Sequence, residues 1–135
     1  MNMSVETVSR LGQNFGRSVL ASLFLLGGTN KLVNFDPTRQ SMEGVGLEPA
    51  GLLLPIVIAL ELIGGALVAL GRWFVAPAAL LLALFTLATN FVFHDFWNMA
   101  DDRSAHELSL FFKNVSIFGA LIFVAAVTNG VDENG

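Results

Sequence analysis

One stretch of 22 residues, Ala50–Gly71, constrains the fold of this chain more than any other part of the sequence. It reads AGLLLPIVIALELIGGALVALG and is apolar throughout except for Glu61 near its middle. At a rise of 1.5 Å per residue, about 20 apolar residues cross the roughly 30 Å hydrocarbon core of a bilayer. A carboxylate at that depth costs on the order of 2.5–3.5 kcal/mol and normally faces a bundle interior or a polar pathway. The stretch therefore predicts a transmembrane helix, with Glu61 as a candidate functional residue.

The composition indicates an integral membrane protein. Hydrophobic residues make up 54% of the 135 residues, charged residues make up 13%, and the mean hydropathy is +0.68, whereas a soluble domain carries about 25% charged residues. The chain has no cysteine, which excludes disulfides, thiol redox chemistry and cysteine-ligated zinc or iron–sulfur centres. A net charge of −4 argues against nucleic acid as a partner. At this length we expect one integral membrane domain over residues 1–135.

Four segments are long and apolar enough to be predicted as spans, namely residues 11–33, 50–70, 74–93 and 107–128. The first lacks a cleavage site of small residues, so we expect a retained anchor and not a signal peptide. The segments 34–49 and 94–106 are polar, and we expect them to be loops. Because short connections make neighbouring helices antiparallel, the predicted fold is an all-α, four-helix transmembrane bundle with up-down topology.

The basic residues predict the orientation of this bundle. Three of them lie on the side of the two termini: Arg10, Arg17 and Arg72. On the opposite side two remain, Arg39 and Arg103, once Lys31 and Lys113 are placed inside the membrane boundary. Because basic residues favour the cytoplasmic side, we expect both termini in the cytoplasm.

Polar residues of the spans gather toward the side opposite the termini. They are Lys31 in the first span, Asn90 and His94 closing the third, and Lys113 and Asn114 in the fourth. With Glu61 at the midplane as its floor, this set predicts a polar chamber open to the non-cytoplasmic side. Lys113 lies deeper than Lys31, so we predict that Lys113 pairs with Glu61 and that Lys31 extends to the interface.

Each of these residues has two interpretations. The predicted Glu61–Lys113 pair could fix the helix register, or it could form a ligand or proton site. His94 could bond to its own loop, or it could contact a quinone head group or exchange protons, since histidine titrates near neutral pH. Trp97 could anchor the chain at the interface or contact a flat ring ligand. The acidic residues near His94 and His106 match no metal-ligand spacing, and the two histidines end one loop, so we expect neither a metal nor a haem.

Four stretches together match a known family in order and in position. They are GGTNKLVNF at the end of the first span, LELIGGALVALGR in the second, ATNFVFHDFW closing the third and FFKNVSIFGALI in the fourth. Through them the chain resembles the DoxX family of small four-helix membrane proteins over nearly its whole length. The family takes its name from a subunit of a thiosulfate:quinone oxidoreductase, and its members often accompany redox proteins. By this resemblance, five residues occupy motif positions: Lys31, Glu61, His94, Lys113 and Asn114.

The resemblance implies a multi-pass subunit of a redox system in the bacterial inner (plasma) membrane. In the first hypothesis the chamber holds a quinone head group, Lys113, Asn114 or His94 donates to its carbonyls, and Glu61 relays protons. Lys31, Asn90 and Trp97 would complete the ligand-binding site, and a partner subunit would supply electrons. Such a chain would be a subunit of a quinone-linked oxidoreductase and not a stand-alone enzyme.

The alternative hypothesis is a non-catalytic structural subunit that packs against a respiratory or photosynthetic complex. In either role the expected partners are membrane lipids and other membrane or peripheral subunits, in a homo- or hetero-oligomer. A small transporter is a third hypothesis, which four short helices suit poorly.

Overall fold

The computed structural model describes residues 3–132, with side chains described as far as Thr128. Within this range the chain is helical and contains no strand, which confirms the all-α prediction. The five α-helices are α1 (Val5–Val33), α2 (Phe35–Gly44), α3 (Ala50–Leu70), α4 (Val75–Phe93) and α5 (Asp101–Asp132), and a single 3-10 turn, Phe96–Asn98, precedes α5.

Three helical segments of the described chain are long and apolar enough to cross a membrane: Ala50–Leu70, Val75–Asn98 and Asp101–Thr128. The bounds of α3 and α4 agree with the predicted second and third spans to within one residue. Helix α1 has 29 residues, a length of about 43 Å. Helix α1 is more polar than α3, α4 and α5 because charged and amide side chains lie toward both of its ends.

The predicted loop 34–49 was wrong over most of its length, because it contains α2. Pro37 lies in the first turn of this helix, where its missing N–H has no intrahelical acceptor to lose. Arg39 pairs with Glu43 one turn further on, and Met42 is buried against Leu54 of α3 and its neighbours. Pro37 and Gly44 therefore lie near the two ends of a short helix.

The predicted loop 94–106 was too long, because α5 begins at Asp101. Asp101 and Asp102 lie in the first turn of α5, where negative charge interacts favourably with the helix dipole. Helix α1 likewise begins earlier than the predicted span, since the Ser4 hydroxyl caps it by accepting a hydrogen bond from the Thr7 N–H at 3.2 Å. Helices α1 and α5 thus extend beyond the apolar segments from which they were predicted.

Glycines bring α1 close to α3. A Cβ atom on Gly28 would lie 2.9 Å from the Leu62 side chain, and one on Gly65 would lie 3.2 Å from Leu25. Helix α3 also packs against α4, and α4 packs along α5, around a core that includes Leu82. Among the described residues, helices α1 and α5 make little contact, so this part of the assembly is open along one seam.

Candidate functional site

An ion pair between Lys31 of α1 and Glu61 of α3 lies at the centre of the candidate site. The Lys31 ammonium donates a hydrogen bond to Glu61 Oε1 at 3.0 Å. It also lies 2.9 Å from Oε2, but this contact is ionic and is not a hydrogen bond. The Glu61 side chain is 6% exposed and that of Lys31 is 28% exposed. The carboxylate is therefore buried, while part of the lysine stays accessible.

Gly27 explains how the two charges meet. A Cβ atom at this position would lie 3.1 Å from Glu61 Oε1 and 3.6 Å from Lys31 Nζ. Gly27 lies one turn before Lys31 and has no side chain, so the carboxylate and the ammonium can occupy the space beside its backbone. Small residues allow this kind of close approach between membrane helices.

The prediction that Lys113 pairs with Glu61 was wrong, and so was the expectation that Lys31 extends to the interface. Lys113 is exposed on the outer face of α5, and no carboxylate of the described residues lies within 4 Å of it. Its neighbour Asn114 faces inward, and successive residues of an α-helix point about 100° apart. Depth alone favoured Lys113, but α3 lies beside α1, and among the described residues no Cα atom of α3 comes within 8 Å of one in α5.

A cleft of about 290 Å³ opens beside the ion pair. Its polar lining comes from four helices and comprises Lys31, Glu61, Thr86, Thr89, His94 and Asn114. Aromatic side chains form much of the remaining wall: Phe24, Phe85 and Phe93. An apolar cavity of about 250 Å³ continues from Lys31 and Thr89 toward α2. The predicted chamber thus corresponds to a cleft that is polar around the ion pair and apolar elsewhere.

His94 lines this cleft and is held by Glu107, which the sequence suggested only as one of the acidic residues near the two histidines. Its Nδ1 lies 2.6 Å from Glu107 Oε2, and the two side chains are 26% and 16% exposed. Of the two interpretations, a side-chain bond of His94 to its own loop is replaced by this contact with α5. Glu107 is the first residue of the predicted fourth span and the single carboxylate in it. This position at the start of an apolar span is the sequence signal that could have identified it.

Asn90 joins α4 to α5 and does not line the cleft. It is fully buried, its Nδ2 donates to the Phe111 carbonyl at 3.1 Å, and its Oδ1 accepts from Asn114 Nδ2 at 3.1 Å. Both of its polar atoms are therefore occupied by α5. Asn114 does line the cleft, so this network reaches the cleft wall.

Trp97 lies outside the cleft, in an aromatic cluster. Its ring is 5.1 Å from Phe96 and 5.8 Å from Phe111, centre to centre, in edge-to-face geometry. Half of the residue (52%) is exposed. The structure thus brings Lys31, Glu61, His94 and Asn114 together around one cleft and leaves Asn90, Trp97 and Lys113 outside it.

A family model described as DoxX matches residues 12–95, more than half of the chain. The chain belongs to the DoxX family. The DoxX match includes Lys31, Glu61 and His94 of the cleft and ends before α5 supplies Glu107 and Asn114.

Two relatives from Escherichia coli (strain K12) support the same assignment. The chain is 32% identical to inner membrane protein YphA over 114 residues, which are 84% of this chain and 81% of the relative. It is 33% identical to inner membrane protein YqjF over 126 residues, which are 93% of this chain and 91% of the relative. No solved structure matches the chain. The chain is therefore an integral membrane protein of the DoxX family.

Proposed function

We propose that this DoxX-family protein is a membrane subunit of a redox system, and that the cleft beside Lys31 and Glu61 binds a quinone head group. The observation that carries the proposal is a buried carboxylate whose partner ammonium remains accessible from a cleft with aromatic walls. Ionisable residues within a membrane are rare, face the bundle interior or a water-filled cavity, and mark substrate, ion or proton pathways.

The donors and walls of the cleft suit a flat ring that carries carbonyl oxygens. Lys31 has three N–H donors and gives one hydrogen bond to Glu61, so it can also donate to a ligand carbonyl. Phe85 and Phe93 provide apolar surface on which a ring can pack. The volume of about 290 Å³ is at the lower end for small-molecule pockets. It suits a head group, and the cavity toward α2 adds apolar space.

The His94–Glu107 pair gives the cleft a group that can exchange protons. An imidazole can donate or accept a proton at either ring nitrogen, and a carboxylate on one of them fixes the orientation of the ring. A bound quinone supplies two-electron, two-proton redox chemistry. In this proposal Lys31 orients the ligand, His94 holds a proton at the cleft wall, and a partner subunit provides the electrons.

We further propose that α1, α3, α4 and α5 cross the inner membrane as an antiparallel bundle with both termini in the cytoplasm. Two contacts support the antiparallel arrangement of α1 and α3: Gly28 contacts Leu62, and Gly65 contacts Leu25. The later residue of α1 thus contacts the earlier residue of α3. The cluster of arginines at the end of the bundle that carries the termini supports the orientation.

Quinone binding tests the cleft directly. We expect the protein in lipid nanodiscs to bind a short-chain ubiquinone or menaquinone analogue saturably in isothermal titration calorimetry. Lys31→Met should weaken this binding about tenfold, the equivalent of about 1.4 kcal/mol. The same change at Lys113, outside the cleft, should leave the affinity within about twofold.

A second variant separates binding from folding. Thr89→Leu fills part of the cleft and removes no charge, so we expect it to abolish binding in a protein that still folds. Absence of saturable binding to either quinone class, or equal losses in Lys31→Met and Lys113→Met, would rule out this site.

One observation favours the structural subunit as a second candidate. Lys113 is exposed within an apolar span, beside Phe112, which is 58% exposed. A charged side chain on a lipid-facing surface is costly, and a partner subunit could cover it. In this case Lys113→Met should shift the native complex to a smaller size on blue-native gels, and Glu61→Gln should disturb assembly. In the redox case Glu61→Gln should lower turnover and leave assembly intact.

A further inference from the structure

A second polar cleft, of about 360 Å³, lies at the end of the bundle opposite to His94. Three arginines line it, Arg10 and Arg17 of α1 and Arg72 of the turn between α3 and α4. These are three of the seven basic residues in a chain whose net charge is −4. Among side chains that the structure describes, no carboxylate lines this cleft or lies within 4 Å of the three guanidinium groups. We refer to this site as the arginine cleft.

Arg17 is the least exposed of the three arginines, and one of its N–H donors has no acceptor among the described residues. Its Nη2 donates to Asn14 Oδ1 at 2.9 Å, while its Nε is buried and has no acceptor among the described residues. A guanidinium group carries five N–H donors, and a buried donor without an acceptor is unfavourable. The arrangement therefore favours an anionic ligand that accepts hydrogen bonds at Arg17.

Gly71 places Arg17 at the depth of the lipid phosphates. Gly71 ends the apolar helix α3 in the left-handed conformation, with φ 66°, and the Arg17 guanidinium occupies the position that a Cβ atom would take. The end of an apolar span marks the boundary of the hydrocarbon core. Trp73, which is 60% exposed with Arg72 over its ring at 4.9 Å, is of the residue type that collects at this boundary.

An apolar groove of about 310 Å³ continues from the arginine cleft along the open seam between α1 and α5. It shares Arg17 with the cleft and runs past Gly16 and Leu20 to Phe123. A Cβ atom at Gly16 would meet nothing within 4 Å, so the groove has free space there. A basic cleft at the phosphate depth and an adjoining apolar groove have the two-part character of a phospholipid.

We propose that an anionic phospholipid binds at this site, with its phosphate at Arg17 and Arg72 and one acyl chain in the groove beside Gly16. Basic pockets between helices on the cytoplasmic side are typical sites for such head groups. A soluble phosphate ester would satisfy the arginines, but it would leave the groove uncovered. The groove therefore favours a lipid as the source of the phosphate.

Native mass spectrometry of the full chain tests this proposal. After exchange into detergent with equimolar phosphatidylglycerol and phosphatidylcholine, we expect the protein to retain phosphatidylglycerol about tenfold more than phosphatidylcholine. Arg17→Gln should remove this preference. Gly16→Leu, which fills the groove and changes no charge, should lower retention of phosphatidylglycerol about tenfold. Arg103→Gln, which removes an exposed arginine at the other end of the molecule, is the matched control and should retain the preference.

Three results would overturn the proposal. The wild-type protein could show no preference for the anionic lipid, or Arg103→Gln could reduce the preference as much as Arg17→Gln. Alternatively, glycerol phosphate could displace the lipid while Gly16→Leu has no effect, which would indicate a soluble anion. If Arg17→Gln does not fold, Arg72→Gln on the exposed turn gives the same charge test, and Gly16→Leu still tests the groove.

Discussion

At the scale of single residues, Glu61 finds a counter-charge inside an apolar helix because Lys31 reaches it past the bare backbone of Gly27. The carboxylate is buried and its hydrogen bond comes from Lys31 alone among the described residues. Removing one partner of a buried pair leaves an uncompensated charge, which costs more than the pair itself contributes. The energetic role of the two residues is therefore best separated by a double-mutant cycle.

The cycle gives the first stability prediction. Lys31→Met should lower the free energy of unfolding by about 3 kcal/mol, because it leaves the Glu61 carboxylate buried without its counter-charge. Glu61→Leu should cost less, since Lys31 is partly exposed and can hydrate. The double variant should recover most of the loss, measured by denaturant titration in micelles. Additive losses would show that the two charges are not coupled.

The sequence identified Glu61 and most of the residues around it but did not identify its partner. Position along a span predicts depth, and depth correctly brought Lys31, His94 and Asn114 to the same side as the cleft. Which lysine reaches the carboxylate depends on which helices are neighbours, and depth carries no such information. Gly27 and Gly28 were the available signal, because paired glycines one turn before Lys31 mark the face of α1 that meets α3.

At the scale of helices, hydropathy predicted the apolar elements well and the polar ones poorly. Helices α3 and α4 are apolar to both ends, so their bounds coincide with the predicted spans. Helix α2 and the first turns of α1 and α5 form through capping, first-turn charges and local ion pairs, to which a hydropathy window does not respond. The predicted spans therefore leave these polar turns out.

Packing of α1 against α3 gives the helix-scale prediction. Gly28→Leu should destabilise the protein by about 1–3 kcal/mol, the usual cost of overpacking, because a Cβ atom there already lies 2.9 Å from Leu62. Gly119→Leu on α5 is the matched control, since a Cβ atom there meets nothing within 4 Å. Thermal unfolding in detergent measures both variants. Equal melting temperatures would contradict the close contact between these helices.

At the scale of the whole molecule, the number of spans and the orientation depend on α1. If α3, α4 and α5 alone cross the membrane, residues 3 and 45 lie on one side and the 71–74 turn lies on the other. If α1 also crosses, as we propose, residue 3 shares a side with the 71–74 turn, and residues 45 and 98 share the opposite side. Whether residue 3 lies on the same side of the membrane as the 71–74 turn therefore distinguishes four spans from three.

Because the natural chain has no cysteine, single-cysteine variants can report this placement without background. Met3, Val45, Trp73 and Asn98 are exposed and lie outside the five α-helices. With a membrane-impermeant maleimide on spheroplasts, Val45→Cys and Asn98→Cys should react in intact cells, and Met3→Cys and Trp73→Cys only after permeabilisation. Labelling of Met3→Cys together with Val45→Cys would place α1 at the surface. The reverse pattern for all four would keep four spans and turn the bundle over, which would also place the arginine cleft in the outer leaflet.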